Sequence, residues 1–96
     1  MIIEFSARHF HCPDNIREYA ENEVEKFKKI NDRVIQCQII LEHEHNDHTT
    51  EINLSIPGNK FFAKAVAKNM TQSIDLVVEK TINQLKKHMD VLHNHR

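Results

Sequence analysis

The chain has 96 residues, with 13 basic and 14 acidic side chains and a formal net charge of −1 when its eight histidines are counted as neutral. This length predicts one domain, residues 1–96, whose single modest core buries roughly 60–70% of the unfolded-chain surface. A net charge near zero excludes neither a nucleic-acid partner nor a protein partner. The distribution of charge along the chain must therefore distinguish between these two kinds of partner.

The start of the chain predicts neither export nor membrane insertion. Residues 1–10 include Glu4 and Arg8 and lack an apolar run, which is not the pattern of a signal peptide. No stretch is apolar for long enough to predict a transmembrane segment. Cys12 and Cys37 are too few for a disulfide framework and form no CxxC motif, so we expect a cytoplasmic protein.

The first two predicted elements are a strand and a helix. Ile3 and Phe5 alternate with polar residues, which predicts a strand over about residues 2–9. Pro13 suits a first helical turn, and apolar residues at helical spacing predict a helix over residues 13–30. Acidic residues lead this helix and lysines gather at its end, an order that the helix dipole explains without any ligand.

Three more strands are predicted before the last helix. Alternating apolar and polar residues indicate strands around residues 35–42 and 51–56, which the polar link His45–His48 joins. Pro57-Gly58-Asn59 contains the only glycine and turns the chain into a fourth strand. Small residues on one face of that strand leave room for a helix lying close above it: Ala63, Ala65 and Ala67.

Residues 69–94 predict one long amphipathic helix. Asn69 can cap its start, with Gln72 three residues later. Its apolar stripe consists of Ile74, Val78, Ile82, Leu85, Met89 and Leu92. The order β-α-β-β-β-α, with both helices on one sheet face, predicts an α+β two-layer sandwich with a four-stranded sheet.

Two helices on the same sheet face present their outer sides in one direction. This predicts a shared basic surface formed by Lys26, Lys29, Lys80, Lys86 and Lys87, which His88 flanks and the tail residues His93, His95 and Arg96 continue. Such a surface is the electrostatic footprint expected for a phosphate backbone. A merely solvated helix face is the competing interpretation.

Taken together, these residues resemble the short ribosome hibernation-promoting factors and the related ribosome-associated inhibitor. The similarity covers nearly the whole chain, and it depends on the order and spacing of several segments, none of which is specific alone. The matching segments are Ile16-Arg17-Glu18-Tyr19, Phe27-Lys28-Lys29-Ile30-Asn31-Asp32-Arg33, Ala63-Lys64-Ala65, Asn69-Met70, Ser73-Ile74-Asp75, Lys80 and Gln84-Leu85-Lys86-Lys87-His88.

The resemblance implies a domain that binds the small ribosomal subunit and its rRNA at the decoding region, silences idle ribosomes and, in the short type, promotes ribosome pairing. The absence of a long C-terminal dimerisation domain favours the short type. The chain departs from the family pattern at Thr71, Asn83 and Glu23, where an aromatic and two basic residues are usual. The expected rRNA-binding residues are Lys26, Lys28, Lys29, Lys80, Lys86, Lys87 and His88.

We expect no cofactor, no small-molecule substrate, no membrane partner and a monomeric free protein. A metal cluster of His43, His45 and His48 is an alternative, but their spacing matches no structural zinc pattern, so we expect a solvated hairpin tip without metal. Cys12 at a helix start has two interpretations, a cap-like residue or a redox sensor with a lowered pKa.

Two other classes of function compete with RNA binding. An enzyme would need His9, His11, Cys12 and Asp14 to converge, and no glycine motif for an oxyanion hole is present, so we expect no catalysis. A protein-interaction module that does not bind RNA would use the open sheet face. Its apolar patch would consist of Ile2, Ile40, Phe62 and Val66.

Overall fold

The computed structural model describes the backbone of residues 1–94 and the side chains of residues 1–90. The predicted basic tail of His93, His95 and Arg96 therefore lies outside the described side chains. No helix within the described part of the chain combines the length and the apolar character needed to cross a bilayer.

The predicted element order and the two-layer architecture are confirmed. One sheet of four strands carries helices on a single face, and the first predicted helix forms two consecutive segments. The elements are β1 (Ile2–Arg8), α1 (Asp14–Val24), α2 (Lys26–Ile30), β2 (Gln36–Glu44), β3 (Asp47–Ile56), β4 (Asn59–Ala67) and α3 (Met70–Asn94).

The predicted helix over residues 13–30 is present, with an interruption at Glu25 that separates α1 from α2. The Glu25 N–H donates to the carbonyl of Asn22 at 3.3 Å, and the Lys28 N–H donates to the carbonyl of Glu25 at 3.2 Å. Both bonds join residues three apart, as in a 3₁₀ helix, so the helix is wound more tightly here than an α-helix. Tighter winding aligns residues three apart, and Val24 and Phe27 are both fully buried.

The sheet has the order β1-β2-β3-β4, so β1 and β4 are its two edges. β1 pairs with β2 in parallel, and the other neighbours are antiparallel. β2 and β3 pair as far as Glu44 and Asp47, so the predicted link His45–His48 is shorter than expected. Gly58 has a φ of +81° behind Pro57, the left-handed position that a type II turn requires.

The core lies between the sheet and the helices. α3 packs on β3 and β4, where Ala63 and Ala65 are buried, as the small residues predicted. The stripe residues Ile74, Val78 and Leu85 are buried, while Ile82 and Met89 are half-buried. Val77 and Thr81 are also buried, although the predicted stripe omits them.

The opposite face of the sheet does not carry the predicted apolar patch. Ile2 is on edge strand β1 and Phe62 is on the far edge strand β4. Ile40 is only 6% exposed, and its cross-strand neighbours are Ser6 and Glu51. Lys64 lies between Phe62 and Val66 along β4. Polar residues therefore separate the four apolar ones.

Candidate nucleic-acid interface

A cluster of basic residues lies where α2 ends beside the later turns of α3. A recess of about 400 Å³ opens here, and its lining includes three basic residues, Lys28, Lys29 and Arg33, and one carboxylate, Asp32. The Asn31 side chain joins the two elements, because its amide nitrogen lies 3.6 Å from the sulfur of Met89. Its amide oxygen accepts the Arg33 N–H at 2.9 Å and holds the chain as it leaves α2.

Lysines of α3 extend this surface, which we call the basic end. Lys86 is three residues before Met89 and therefore lies on the same side of α3, beside α2. Lys87, seven residues after Lys80, does not face α2 but points outward from α3, and it is also exposed. The basic end comprises Lys28, Lys29, Arg33, Lys86 and Lys87. Arg33 matched the family pattern, but it was not among the residues expected to bind rRNA.

The lysines of the basic end differ in how far their charge is already neutralised. Lys28 lies 3.6 Å from the carboxylate of Glu25 and is half exposed. Within the described residues, Lys29, Lys86 and Lys87 take part in no side-chain hydrogen bond or ion pair. An exposed ion pair stabilises a fold little, but it competes with an incoming phosphate. The three uncommitted ammonium groups are therefore the ones most available to an RNA backbone.

Lys26 does not belong to the basic end. Its ammonium group donates a 2.8 Å hydrogen bond to Glu23, which raises the pKa of Lys26. Both residues line a groove between α1 and α3, together with Tyr19, Asp75 and Glu79. The carboxylates around Lys26 thus offset its positive charge, so this residue does not extend a uniform basic surface.

Lys80 and His88 lie on the other flank of α3, along edge strand β4. Lys80 donates to the carbonyl of Lys64 at 2.9 Å, and Gln84 donates to the carbonyl of Phe62 at 2.9 Å. The His88 ring packs edge-on against Phe61, with 5.5 Å between ring centroids. Its Nδ1 lies 3.3 Å from the side-chain nitrogen of Asn59.

The structure thus divides the predicted surface of Lys26, Lys29, Lys80, Lys86 and Lys87 into separate parts, and their binding to rRNA remains a prediction. Residues at spacings of four lie on one side of a helix, so Lys80, Gln84 and His88 form one row. Lys80 and Gln84 of this row donate to carbonyls of edge strand β4, and the row points away from α2. Helical periodicity shows the row, but only the sheet order shows which strand it meets.

The structure brings together only two of the three histidines near the β2–β3 turn. His43 and His48 are cross-strand partners, and their rings stack with centroids 3.9 Å apart. His45 lies at the exposed tip with a φ of +58°. A different trio, His9, Glu42 and Glu44, brings three possible ligand atoms within 4.8 Å of one another. The expectation that the histidine trio binds no metal remains a prediction.

Cys12 does not have the lowered pKa that the redox-sensor alternative required. Burial is the main cause of a raised thiol pKa, although the backbone of Arg17 and its charge partly oppose it. The thiol donates to the carbonyl of Pro13 at 3.4 Å, and Pro13 occupies the N-cap position. A raised pKa lowers the thiolate fraction, which is the reactive form of cysteine.

The fold is similar to two solved structures. A ribosomal subunit interface protein from Coxiella burnetii aligns with a TM-score of 0.88 and 22% identity, over 94% of this chain and 99% of that one. The N-terminal domain of protein Y from Thermus thermophilus aligns with a TM-score of 0.84 and 21% identity, over 92% and 99% of the two chains. At these identities the similarity shows the fold alone.

Curated relatives carry the name ribosome hibernation promoting factor. The protein from Escherichia coli (strain K12) is 27% identical over 95 residues, which cover 99% of this chain and 100% of the relative. That from Pseudomonas putida is 28% identical over 90 residues, covering 94% and 88%. The family model matches residues 3–93 and confirms the resemblance. The chain therefore belongs to the family described as sigma 54 modulation protein / S30EA ribosomal protein.

Proposed function

We propose that the protein is a ribosome hibernation factor that binds the rRNA of the small ribosomal subunit near the decoding region. In this position it blocks messenger and transfer RNA, inhibits translation and promotes ribosome dimerisation. It acts in the cytoplasm, needs no cofactor and is monomeric before it binds. Membership of the family and the names of the curated relatives support the ribosome as the partner.

The observation that carries the proposal is the basic end. Lys29, Lys86 and Lys87 are exposed on two neighbouring helices, and within the described residues no carboxylate pairs with them. Lysines of this kind bind phosphates by releasing condensed counterions, so their contribution depends steeply on salt. Lys28 and Arg33 add positive charge beside the same recess. Three other predicted residues have partners within the protein and contribute less to RNA binding in this proposal: Lys26, Lys80 and His88.

The test is co-sedimentation of the protein with vacant small subunits at several salt concentrations. The variant Lys86→Glu/Lys87→Glu should fold normally, because exposed substitutions usually change stability by less than about 0.5 kcal/mol. It should bind far more weakly than the natural protein. Its log–log salt slope should also be shallower, by about 0.7–0.9 for each phosphate that the variant no longer neutralises. A folded variant that sediments like the natural protein would contradict the role of the basic end.

A control variant with the same change in charge separates a local contact from an effect of net charge. Lys60→Glu/Lys64→Glu places the new charges on exposed residues of β4 whose side chains lie on the open face of the sheet, away from the helices. Its subunit binding should stay close to that of the natural protein. Equal losses in the two double variants would show that overall charge, and not the basic end, governs binding.

Competition tests the proposed position on the subunit. Transfer RNA and the protein should exclude one another from vacant ribosomes if both occupy the decoding region. The amount of bound protein should then fall as transfer RNA is added. Simultaneous full binding of both would contradict this position while leaving ribosome binding itself intact.

A further inference from the structure

The β2–β3 hairpin extends past the start of both main helices. α1 begins at Asp14 and α3 begins at Met70, so the last residues of the hairpin on this face have little helix above them. A recess of about 430 Å³ remains at this end of the helical layer, opposite the basic end. It is lined by Phe10, His11, Pro13, Ile16, His43, His48 and Met70.

Three aromatic rings lie together in this recess. The His43 ring stacks on His48 with 3.9 Å between centroids and an interplanar angle of 19°. Phe10 meets His43 edge-on, with centroids 6.0 Å apart and an angle of 79°. The strand register holds the two histidines opposite each other. The recess therefore offers flat π surfaces on a rigid sheet, which suit a flat aromatic ligand.

One polar atom of the stacked histidine pair lacks a partner. Nδ1 of His48 is buried, and no group of the described residues forms a hydrogen bond with it. A buried polar atom without a partner costs stability, and such atoms are rare in folded proteins. Burial and the neighbouring His43 also lower the pKa of His48, although Asp47 opposes them. A neutral imidazole presents either a donor or an acceptor at Nδ1, according to its tautomer.

We propose that this recess binds an unpaired nucleobase of the RNA, which packs against the rings of Phe10, His43 and His48. This site rests on the proposed function, because the ribosome would supply the unpaired base. It would give the protein a second RNA contact, in addition to the phosphate contacts at the basic end.

Two observations favour a nucleobase over an apolar side chain of a ribosomal protein. A nucleobase has a flat π face that matches the aromatic rings of the recess, whereas an aliphatic side chain has none. Proteins that bind single-stranded RNA commonly stack bases on Phe or His rings. The start of α1 borders the recess, and its positive dipole end favours the phosphate attached to a base, with Asp14 as a partial offset.

The first experiment is an NMR titration of the intact protein with the four ribonucleoside monophosphates at millimolar concentration. Ribose 5-phosphate, which has the same sugar and phosphate but no base, is the matched control. At least one nucleotide should shift the ring resonances of His43 and His48, and ribose 5-phosphate should not. Equal shifts with ribose 5-phosphate, or none with any nucleotide, would overturn the proposal.

The second experiment measures affinity for vacant small subunits. Phe10→Leu retains an apolar side chain but removes one ring, and His43→Ala removes another. Each should weaken binding by about fivefold or more, as expected when one base loses its stacking partner. Phe62→Leu is the control, because Phe62 is 54% exposed on the opposite sheet face. Thermal melting must show that the compared variants are folded.

The outcomes separate this site from the proposed function. Unchanged subunit affinity in both recess variants would overturn the nucleobase site, while a loss in Lys86→Glu/Lys87→Glu would still support ribosome binding. Weaker subunit binding without any nucleotide-induced shift would identify a different occupant, such as a protein side chain, and would also overturn the site. Failure of the natural protein to bind ribosomes would instead contradict the proposed function.

Discussion

Lys80 on α3 donates a 2.9 Å hydrogen bond to the main-chain carbonyl of Lys64 on edge strand β4. Gln84, one turn later, makes the corresponding bond to Phe62. An unpaired edge strand is prone to pair with other chains, and side chains that occupy its outward carbonyls reduce that risk. A lysine that the charge pattern assigned to RNA thus has a role inside the fold.

Gln84→Ala should reduce the free energy of unfolding because it removes one of these bonds to the edge strand. A hydrogen bond of this kind contributes about 0.5–1.5 kcal/mol, and we expect a loss in that range from urea denaturation. Asn83→Ala is the matched control, since Asn83 is the preceding, exposed residue of the same helix. A loss of equal size in both variants would contradict a specific role for the Gln84 contact.

Ser73→Ala should be more costly than its small change in volume suggests. The Ser73 hydroxyl donates to the carbonyl of Met70 at 2.7 Å, so it accepts from Thr50 across their 2.7 Å contact. Removing it leaves a buried Thr50 hydroxyl without an oxygen partner, at a cost of about 1–3 kcal/mol. Thr50→Val/Ser73→Ala should cost less than the sum of the single changes, which denaturation of all three variants measures. Strict additivity would contradict this coupling.

Tyr19 should titrate unusually late. Its hydroxyl donates to the carboxylate of Asp75, and this bond is the main cause of a tyrosine pKa raised to about 12. The chain has one tyrosine and no tryptophan, so the ultraviolet absorbance of tyrosinate reports on this residue alone. Asp75→Asn should return the pKa towards about 10, and Glu79→Gln should not. An ordinary pKa in the folded natural protein would contradict the bond.

Acidification should destabilise the protein through His48. Its pKa is lowered in the folded state, so the unfolded state takes up the proton first as the pH falls. Neutral His48 therefore makes its full contribution to stability at pH values above 6.5, the ordinary pKa of histidine. This contribution is lost as the pH falls through the lower pKa of His48 in the folded protein. The groups that face this ring are His43, its stacking partner, together with Asp47 and the recess residue His11.

The measurement for His48 is the free energy of unfolding as a function of pH, from urea denaturation. His48→Phe retains a ring but cannot bind a proton, so its stability should depend less on pH in the mildly acid range. His45→Phe, at the exposed tip of the hairpin, should keep the pH dependence of the natural protein. The interpretation fails if His48→Phe and the natural protein lose stability in parallel.

The pattern of apolar and polar residues was sufficient to predict the helices and strands and the face that each of them buries. Alternation around Ile3 and Phe5 predicted β1, and the spacing of Ile74, Val78 and Leu85 predicted the buried side of α3. These features are local, because a side chain's position along a strand or helix determines the direction in which it points. The ordered likeness of several segments also identified the family, which the family model confirms.

Details at the ends of elements depended on packing. The break at Glu25 falls where both Val24 and Phe27 enter the core, and strand pairing as far as Glu44 and Asp47 shortens the predicted hairpin link. The stacked rings of His43 and His48 lie beside Met70, which begins an element far along the chain. Periodicity within one segment contains no information about such a neighbour.

The positions of the other candidate-site residues depended on strand order and register, which bring segments that are distant in the sequence next to one another. The order β1-β2-β3-β4 places Ile2 and Phe62 on opposite edges, which removes the predicted apolar patch. The same order makes β4 an edge, so Lys80 meets the carbonyl of Lys64, while Lys86 on the other flank of α3 lies beside α2. Sequence determined which residues are charged and on which side of each helix they lie. Only the packing of α3 between an open strand edge and α2 decided which lysines form hydrogen bonds within the protein and which have no partner among the described residues.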